Sequence, residues 1–231
     1  MVGGVGLDGR ECDLQGHPRI GAGCGALCSD DILELDAYAR ERQVELMPNL
    51  QSFGHCAHIL NLPEYAHLAE APIRWSLCPC DEGTYDLLDD LYAGLLPSFT
   101  SRTMNVDCDE TWDLGKGRTA KEATAPGAAP DTGRLYLEHI KRLHDLAARH
   151  GRRIQLWGDI LLRYPELVGE LPDDVTLLDW HYEAEKDYAS VRQFAASGRD
   201  FWVCPGTSSW NTLFPRIDNS NANIRTLVRQ G

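Results

Sequence analysis

MNVDCDETWDLGKG, residues 104–117, is the stretch on which the reading of this chain turns. It begins as a β-like run, gathers Asp107, Asp109 and Glu110 within four positions, and leaves through a tryptophan and two glycines. Like charges this close repel, so a purely structural strand end has no use for them. A solvated turn collects such acids, and so does a site that needs two carboxyl groups with different jobs. Neighbouring strand residues face opposite sides, so Asp109 and Glu110 share a pocket only if the strand stops and the backbone turns. The Thr-Trp-Asp-Leu-Gly-Lys-Gly that follows suits such an exit.

Outward from this stretch, helix-period and β-rich segments alternate. A helix starts at Ser29 with Asp30 and Asp31 in its first turn, where the helix dipole favours negative charge; Ile32, Leu35 and Ala39 mark its buried face. It leads to a strand at 44–50, VELMPNL, and then to QSFGH. A helix at 85–96 leads to the strand at 103–109. A third, at 133–150, carries Tyr136, Ile140, Leu143 and Ala147 on one stripe and leads to RIQLWGD at 153–159. A short helix at 160–169 precedes VTLLDWHY (175–182), another at 186–197 precedes FWVCPG (201–206), and the tail from Ile217 is helical. Five near-continuous apolar strands alternating with helices predict an α/β fold with a parallel sheet. The glycine-rich residues 1–28 show little periodicity and read as an irregular segment ahead of one domain at 29–231. Residues 115–134 read as a loop over the mouth of that domain.

Composition narrows the function. At 231 residues, 43% hydrophobic and 25% charged, the chain can bury one sizeable core. A net charge of −13 argues against nucleic acid as a partner. No apolar run is long enough for a membrane span, and the N-terminus lacks a basic start followed by an apolar block, so a soluble, cytoplasmic protein is expected. Of the eight cysteines, Cys24 and Cys28, and Cys78 and Cys80, are closely spaced. Neither pair has the two-residue knuckle spacing of structural zinc sites, and reduced thiols are expected. No phosphate-binding glycine motif is present, and no metal or cofactor is expected.

The polar and aromatic candidates gather where strands end, which in a parallel α/β fold is the working face. His55 follows the first strand and Asp109 and Glu110 the second. Trp157 and Asp159 close the third, Trp180, His181, Tyr182 and Glu183 the fourth, and Trp210 follows the fifth. Taken singly, His55 and His181 read equally as structural histidines, and a tryptophan at a strand end as packing. Together they suggest more. Two carboxyl groups in one pocket can divide into a proton donor and an anion, which is the equipment for breaking a glycosidic bond. Trp112, Trp157, Trp180 and Trp210 suit the apolar faces of a sugar ring.

NVDCDETW resembles the signature of family 20 glycoside hydrolases, whose strand ends His/Asn-x-Gly-x-Asp-Glu. MPNLQSFGH resembles that family's preceding strand, ending in a Gly-His pair. LWGDILL, LLDWHYEA and CPGTSSWN resemble the strand ends that follow. The resemblance implies a TIM-type (β/α)8 barrel, here incomplete with about five to six βα units, since a full barrel needs roughly 250 residues. It also implies substrate-assisted, retaining removal of terminal β-linked N-acetylhexosamine. Glu110 would be the general acid/base, and Asp109 would orient the 2-acetamido group that attacks the anomeric carbon. Trp157 and Trp180 would wall the acetamido pocket, while His55, Trp112, Asp159, Tyr182 and Trp210 would support the site or the sugar. Two alternatives stand beside this: a retaining glycosidase with Glu183 or Asp159 as protein nucleophile, and a non-catalytic sugar-binding remnant. Two departures are visible: fewer strands than the family's eight, and Asp107 in place of the family's glycine, whose carboxylate is expected to crowd the strand or raise the neighbouring pKa values.

Overall fold

The predicted alternation is present, with one strand more than expected. The computed structural model describes residues 3–8 (backbone), 14, 16–23, 25–122 and 128–231, with residue 211 lacking a described side chain. Its strands are β1 (Gly3–Asp8), β2 (Val44–Asn49), β3 (Thr103–Asn105), β4 (Arg153–Trp157), β5 (Thr176–His181) and β6 (Phe201–Pro205). Its α-helices are α1 (Ser29–Glu41), α2 (Ala57–Leu60), α3 (Glu82–Leu95), α4 (Thr132–Arg149), α5 (Ala189–Ser197) and α6 (Ile217–Gln230). The chain divides into two compact units, 1–155 and 156–231, with the boundary inside β4.

In the first unit, parallel strands lie side by side in chain order. β1 runs in register with β2 from Gly3 opposite Val44 to Asp8 opposite Asn49. The start of the chain was expected to be irregular because glycine has weak strand preference. A parallel ladder uses only backbone groups, however, and β2 supplies them. β2 meets β3 at Asn49 and Asn105, and β3 meets β4 from Thr103 opposite Arg153 to Asn105 opposite Gln155. Met104, Val106 and Ile154 are fully buried in this layer.

The helices of this unit follow their apolar stripes, with one exception. On α4 the predicted stripe of Tyr136, Ile140, Leu143 and Ala147 is completely buried. α3 begins at Glu82, earlier than expected, because the Asp81 carboxylate accepts from the Gly83 N–H at 2.9 Å and caps it. On α1, Leu35 is 42% exposed and Asp36 is buried instead. Asp36 takes the hydroxyl of Thr100 at 2.9 Å and its N–H at 3.2 Å, so a polar contact rather than an apolar one sets that helix face. The loop at 115–134 holds a 3₁₀ helix at Arg118–Glu122; its residues 123–127 lie outside the described residues, as does Cys24.

A buried polar chain links α3, α4 and the loop after β2. The Tyr85 hydroxyl bonds His139 Nδ1 at 2.8 Å, and His139 Nε2 lies 3.0 Å from the Ser52 carbonyl. The Ser52 hydroxyl in turn meets the Tyr92 hydroxyl at 2.8 Å. Burial pushes the His139 pKa down to about 4, since the ring cannot carry charge there at low cost. The unfolded chain takes up this proton near the ordinary value of 6.5, and the folded chain only near 4. Between those values the unfolded state binds more protons, so acidification should cost roughly 3 kcal/mol of stability through this residue. Thermal melts of wild type from pH 7 to 4 should therefore fall steeply. The same melts of His139→Gln should be flatter.

In the second unit β5 and β6 are parallel, from Leu177 opposite Phe201 to His181 opposite Pro205. The short α-helix expected at 160–169 is instead two 3₁₀ segments, Leu161–Arg163 and Pro165–Glu170. Pro165 lacks the N–H that an α-helix running through it would need. α5 starts at Ala189, later than expected, because Tyr188 turns inward and packs with Val191 and Leu227. Gly158 lies against the Phe194 ring, where a β-carbon would come within 2.5 Å of it. Among the described residues no helix is long and apolar enough to cross a membrane.

Candidate active site

The acidic stretch turns as its sequence requires, and sooner than expected. β3 stops at Asn105, although the Val106 N–H still donates to the Gln155 carbonyl at 2.9 Å. Asp107, Cys108 and Glu110 then adopt left-handed backbone, with φ of 58°, 66° and 49°. Such values are uncommon outside glycine, and a run of them persists only when neighbours hold it. Asp107 Oδ1 accepts from the side-chain amides of Asn49 at 2.8 Å and Asn105 at 3.1 Å, and the Asp107 N–H donates to Asn105 Oδ1 at 2.9 Å. The Cys108 carbonyl takes the Tyr136 hydroxyl at 3.1 Å, and the Glu110 carbonyl takes Trp75 Nε1 at 2.8 Å and the Trp112 N–H at 2.7 Å.

This corrects the expectation for Asp107. Its carboxylate is buried in the turn and bonded to two asparagine amides, so it builds the strand exit. The position needs left-handed backbone, which glycine adopts freely and aspartate tolerates better than most residues.

The turn brings two adjacent residues to one partner. His55 Nε2 lies 3.3 Å from Asp109 Oδ2 and 3.1 Å from Glu110 Oε2. The close approach of the Asp109 carboxylate raises the His55 pKa above its ordinary value; partial burial opposes this, and the charge of Glu110 adds to it. His55 itself sits at φ 55°, which aims its ring from the loop after β2. Gly54 explains the other half of the Gly-His pair: a β-carbon there would come within 2.3 Å of the Asp109 carbonyl oxygen. Gly54→Ala should therefore push back the backbone carrying both acids. It should cost about 1–3 kcal/mol of stability, read as a lowered denaturation midpoint.

Trp75 was not anticipated from the sequence. Its ring centroid lies 4.3 Å from that of His55 and 6.0 Å from that of Trp112, and its Nε1–H holds the Glu110 carbonyl. It lies between elements, away from any strand end, so the rule that found the other candidates passes over it. Trp112, 59% exposed, shares with Trp75 an apolar groove. Among the described residues, His55, Asp109 and Glu110 are also one group that could offer three ligands to a metal ion, their donor atoms lying within 4.8 Å of one another. With His55 protonated, its positive charge partly offsets those of the two carboxylates.

The remaining candidates belong to the second unit. Trp180 stacks on Tyr182 with ring centroids 4.9 Å apart, and Tyr182 meets Trp210 edge-on at 4.6 Å. Gly206 fits beneath them, where a β-carbon would come within 2.4 Å of the Tyr182 ring. Trp180 Nε1 is buried and has no acceptor among the described residues. Trp157 and Asp159, at the end of β4 and just after it, are partly exposed. His181 is tied to Asp179 at 3.1 Å and to the Ser190 hydroxyl at 2.6 Å, a structural role. Glu183, exposed, forms a two-pronged ion pair with Arg216 at 2.7 Å per contact, which holds its carboxyl below the usual carboxylate range.

A family model described as the glycosyl hydrolase family 20 catalytic domain matches residues 11–213. This chain belongs to glycosyl hydrolase family 20. Hexosaminidase D from Bos taurus is 30% identical over 184 residues, which is 75% of this chain and 52% of that protein. Hexosaminidase D from Homo sapiens is 25% identical over 169 residues, 70% of this chain and 35% of that protein. The chain thus spans about half of the first relative's length and about a third of the second's. Among solved structures, a β-N-acetylhexosaminidase from Bacteroides fragilis matches with a TM-score of 0.72 at 18% identity, covering 96% of this chain and 48% of that one. A chitobiase from Flavobacterium johnsoniae matches with a TM-score of 0.72 at 16% identity, covering 89% and 33%. The fold of this family 20 chain is an incomplete (β/α) barrel.

Proposed function

We propose that this family 20 domain removes terminal β-linked N-acetylhexosamine by substrate-assisted, retaining hydrolysis. One observation carries the reading: Asp109 and Glu110, adjacent in sequence, both reach His55 Nε2, so the two carboxyl groups converge on one side chain. In this reading the Glu110 carboxyl gives its proton to the glycosidic oxygen as that bond breaks. The oxygen of the substrate's 2-acetamido group forms a bond to the anomeric carbon, and Asp109 takes the N–H of that group and offsets its growing positive charge. The Glu110 carboxylate then takes a proton from water, which opens the oxazolinium ring and restores the starting configuration. A second protein carboxylate about 5 Å across the ring is then unnecessary. The engagement of Glu183 with Arg216 agrees with this. The names of the related hexosaminidases, and a Streptomyces plicatus N-acetyl-β-hexosaminidase bound to Thio-NAglucal, support the substrate class.

In this reading His55 positions the two carboxyl groups. The test is direct. Folded protein should release p-nitrophenol from its N-acetyl-β-glucosaminide or N-acetyl-β-galactosaminide. A cooperatively melting preparation that releases none would favour the sugar-binding remnant instead.

A further inference from the structure

The first unit carries two cavities of about 530 Å³ each, one of them walled by Trp75, whose Nε1–H holds the Glu110 carbonyl. The apolar one is walled by Ile73, Trp75 and Trp112 with Lys116 at its edge; the other is lined by Glu70, Arg74, Arg118 and Lys121 among others. Ala71 and Pro72 line both, so they share a wall. The charge here runs against the rest of the molecule. In a chain of net charge −13, segments 71–76 and 114–121 hold Arg74, Lys116, Arg118 and Lys121 and no acidic residue.

The nearby carboxylates are mostly committed elsewhere. Buried Glu70 takes the N–H groups of Gly117 and Thr119 and the Thr119 hydroxyl. Buried Asp113 takes the Ser76 N–H at 3.2 Å, and Asp81 takes Arg118. Glu122, at the end of the 3₁₀ helix, is exposed to solvent. Arg74, Lys116 and Lys121 have no ion pair among the described residues. Arg74 is held in a tight turn at φ 56°, its N–H on the Ala71 carbonyl at 2.9 Å, which displays Ile73 at 73% exposure.

We infer that this paired groove receives the leaving-group sugar and that it selects one bearing an oxyanion, a carboxylate or a sulfate ester. The inference rests on the proposed hydrolysis. Glu110 delivers a proton to the departing unit, and Trp75, held on the Glu110 carbonyl, is the first wall of the groove. An apolar ring face would lie on Trp75 and Trp112, and its anionic substituent would meet Arg74, Lys116 and Lys121.

The experiment compares three disaccharides of β-linked N-acetylglucosamine, on glucuronic acid, on a sulfated glucose and on glucose. At low salt, kcat/KM for at least one acidic substrate should exceed that for the neutral one by about tenfold, roughly threefold for each of two partly exposed charge contacts. The ratio should shrink in high salt as those contacts are screened. In the Arg74→Gln, Lys121→Gln double variant it should fall towards one. Because the readout is a ratio, a partly unfolded variant lowers both rates and leaves it unchanged. Equal rates on all three substrates, or a preference that survives in the double variant, would overturn this inference alone. No hydrolysis of any of them by folded protein would overturn the catalytic reading and this inference with it. The better of the two acidic substrates distinguishes carboxylate from sulfate.

Discussion

Glu110→Gln is expected to lower kcat/KM on an N-acetyl-β-hexosaminyl sugar by about 10²- to 10⁴-fold, the usual contribution of a positioned general acid. Glutamine keeps the shape of the side chain but has no proton to give at the pH of the assay. The loss should depend on the leaving group. p-Nitrophenolate departs without much help, so its release should fall less than that of a sugar alkoxide. The fold should survive, because the Trp75 and Trp112 hydrogen bonds go to the Glu110 carbonyl and not to its carboxyl group. Parallel kinetics on the two substrates check this. Equal losses would mean that Glu110 is needed for something other than proton delivery.

Asp109→Asn should be nearly as severe on the chemical step, about 10²- to 10³-fold in kcat, comparable with removing one preorganised stabiliser of transition-state charge. Asparagine keeps the volume but cannot offset the positive charge that grows on the acetamido nitrogen. This variant carries a second readout inside the protein. The Asp109 carboxylate is the largest cause of the raised His55 pKa, so the imidazole should titrate closer to its ordinary value of 6.5 once that carboxylate is gone. Imidazole titration by NMR on both proteins would show it. An unchanged His55 titration with an unchanged kcat would remove Asp109 from the site.

Much of this arrangement could be read from the sequence because its signals are local. Parallel strands covered by helices leave near-continuous apolar runs, and the helix stripes on α4 follow from spacing alone. The Asp109-Glu110 pair was legible because adjacent residues can serve one pocket only where a strand stops. Where the reading failed, the cause lay in long-range partners. β1 is glycine-rich and is made a strand by its ladder to β2. Leu35 is outside and Asp36 inside because Thr100, distant in sequence, offers two donors. Asp107 read as an intruder because Asn49 and Asn105, which bond it, come from another strand and from the strand's own end. Trp75 belongs to no periodic element, and only the fold brings it against His55 and the Glu110 carbonyl.

In the proposed mechanism the substrate's own acetamido oxygen is the nucleophile, held by Asp109 and served by Glu110. A series of aryl β-glucosaminides whose 2-amide is acetyl, fluoroacetyl, difluoroacetyl and trifluoroacetyl tests it most directly. Each fluorine draws electrons from the attacking oxygen and leaves the rest of the sugar almost unchanged. Substrate assistance predicts that kcat falls steeply at every step of the series. A level series, with a fluorosugar label recovered on Glu183 or Asp159, would contradict it and assign the attack to the protein.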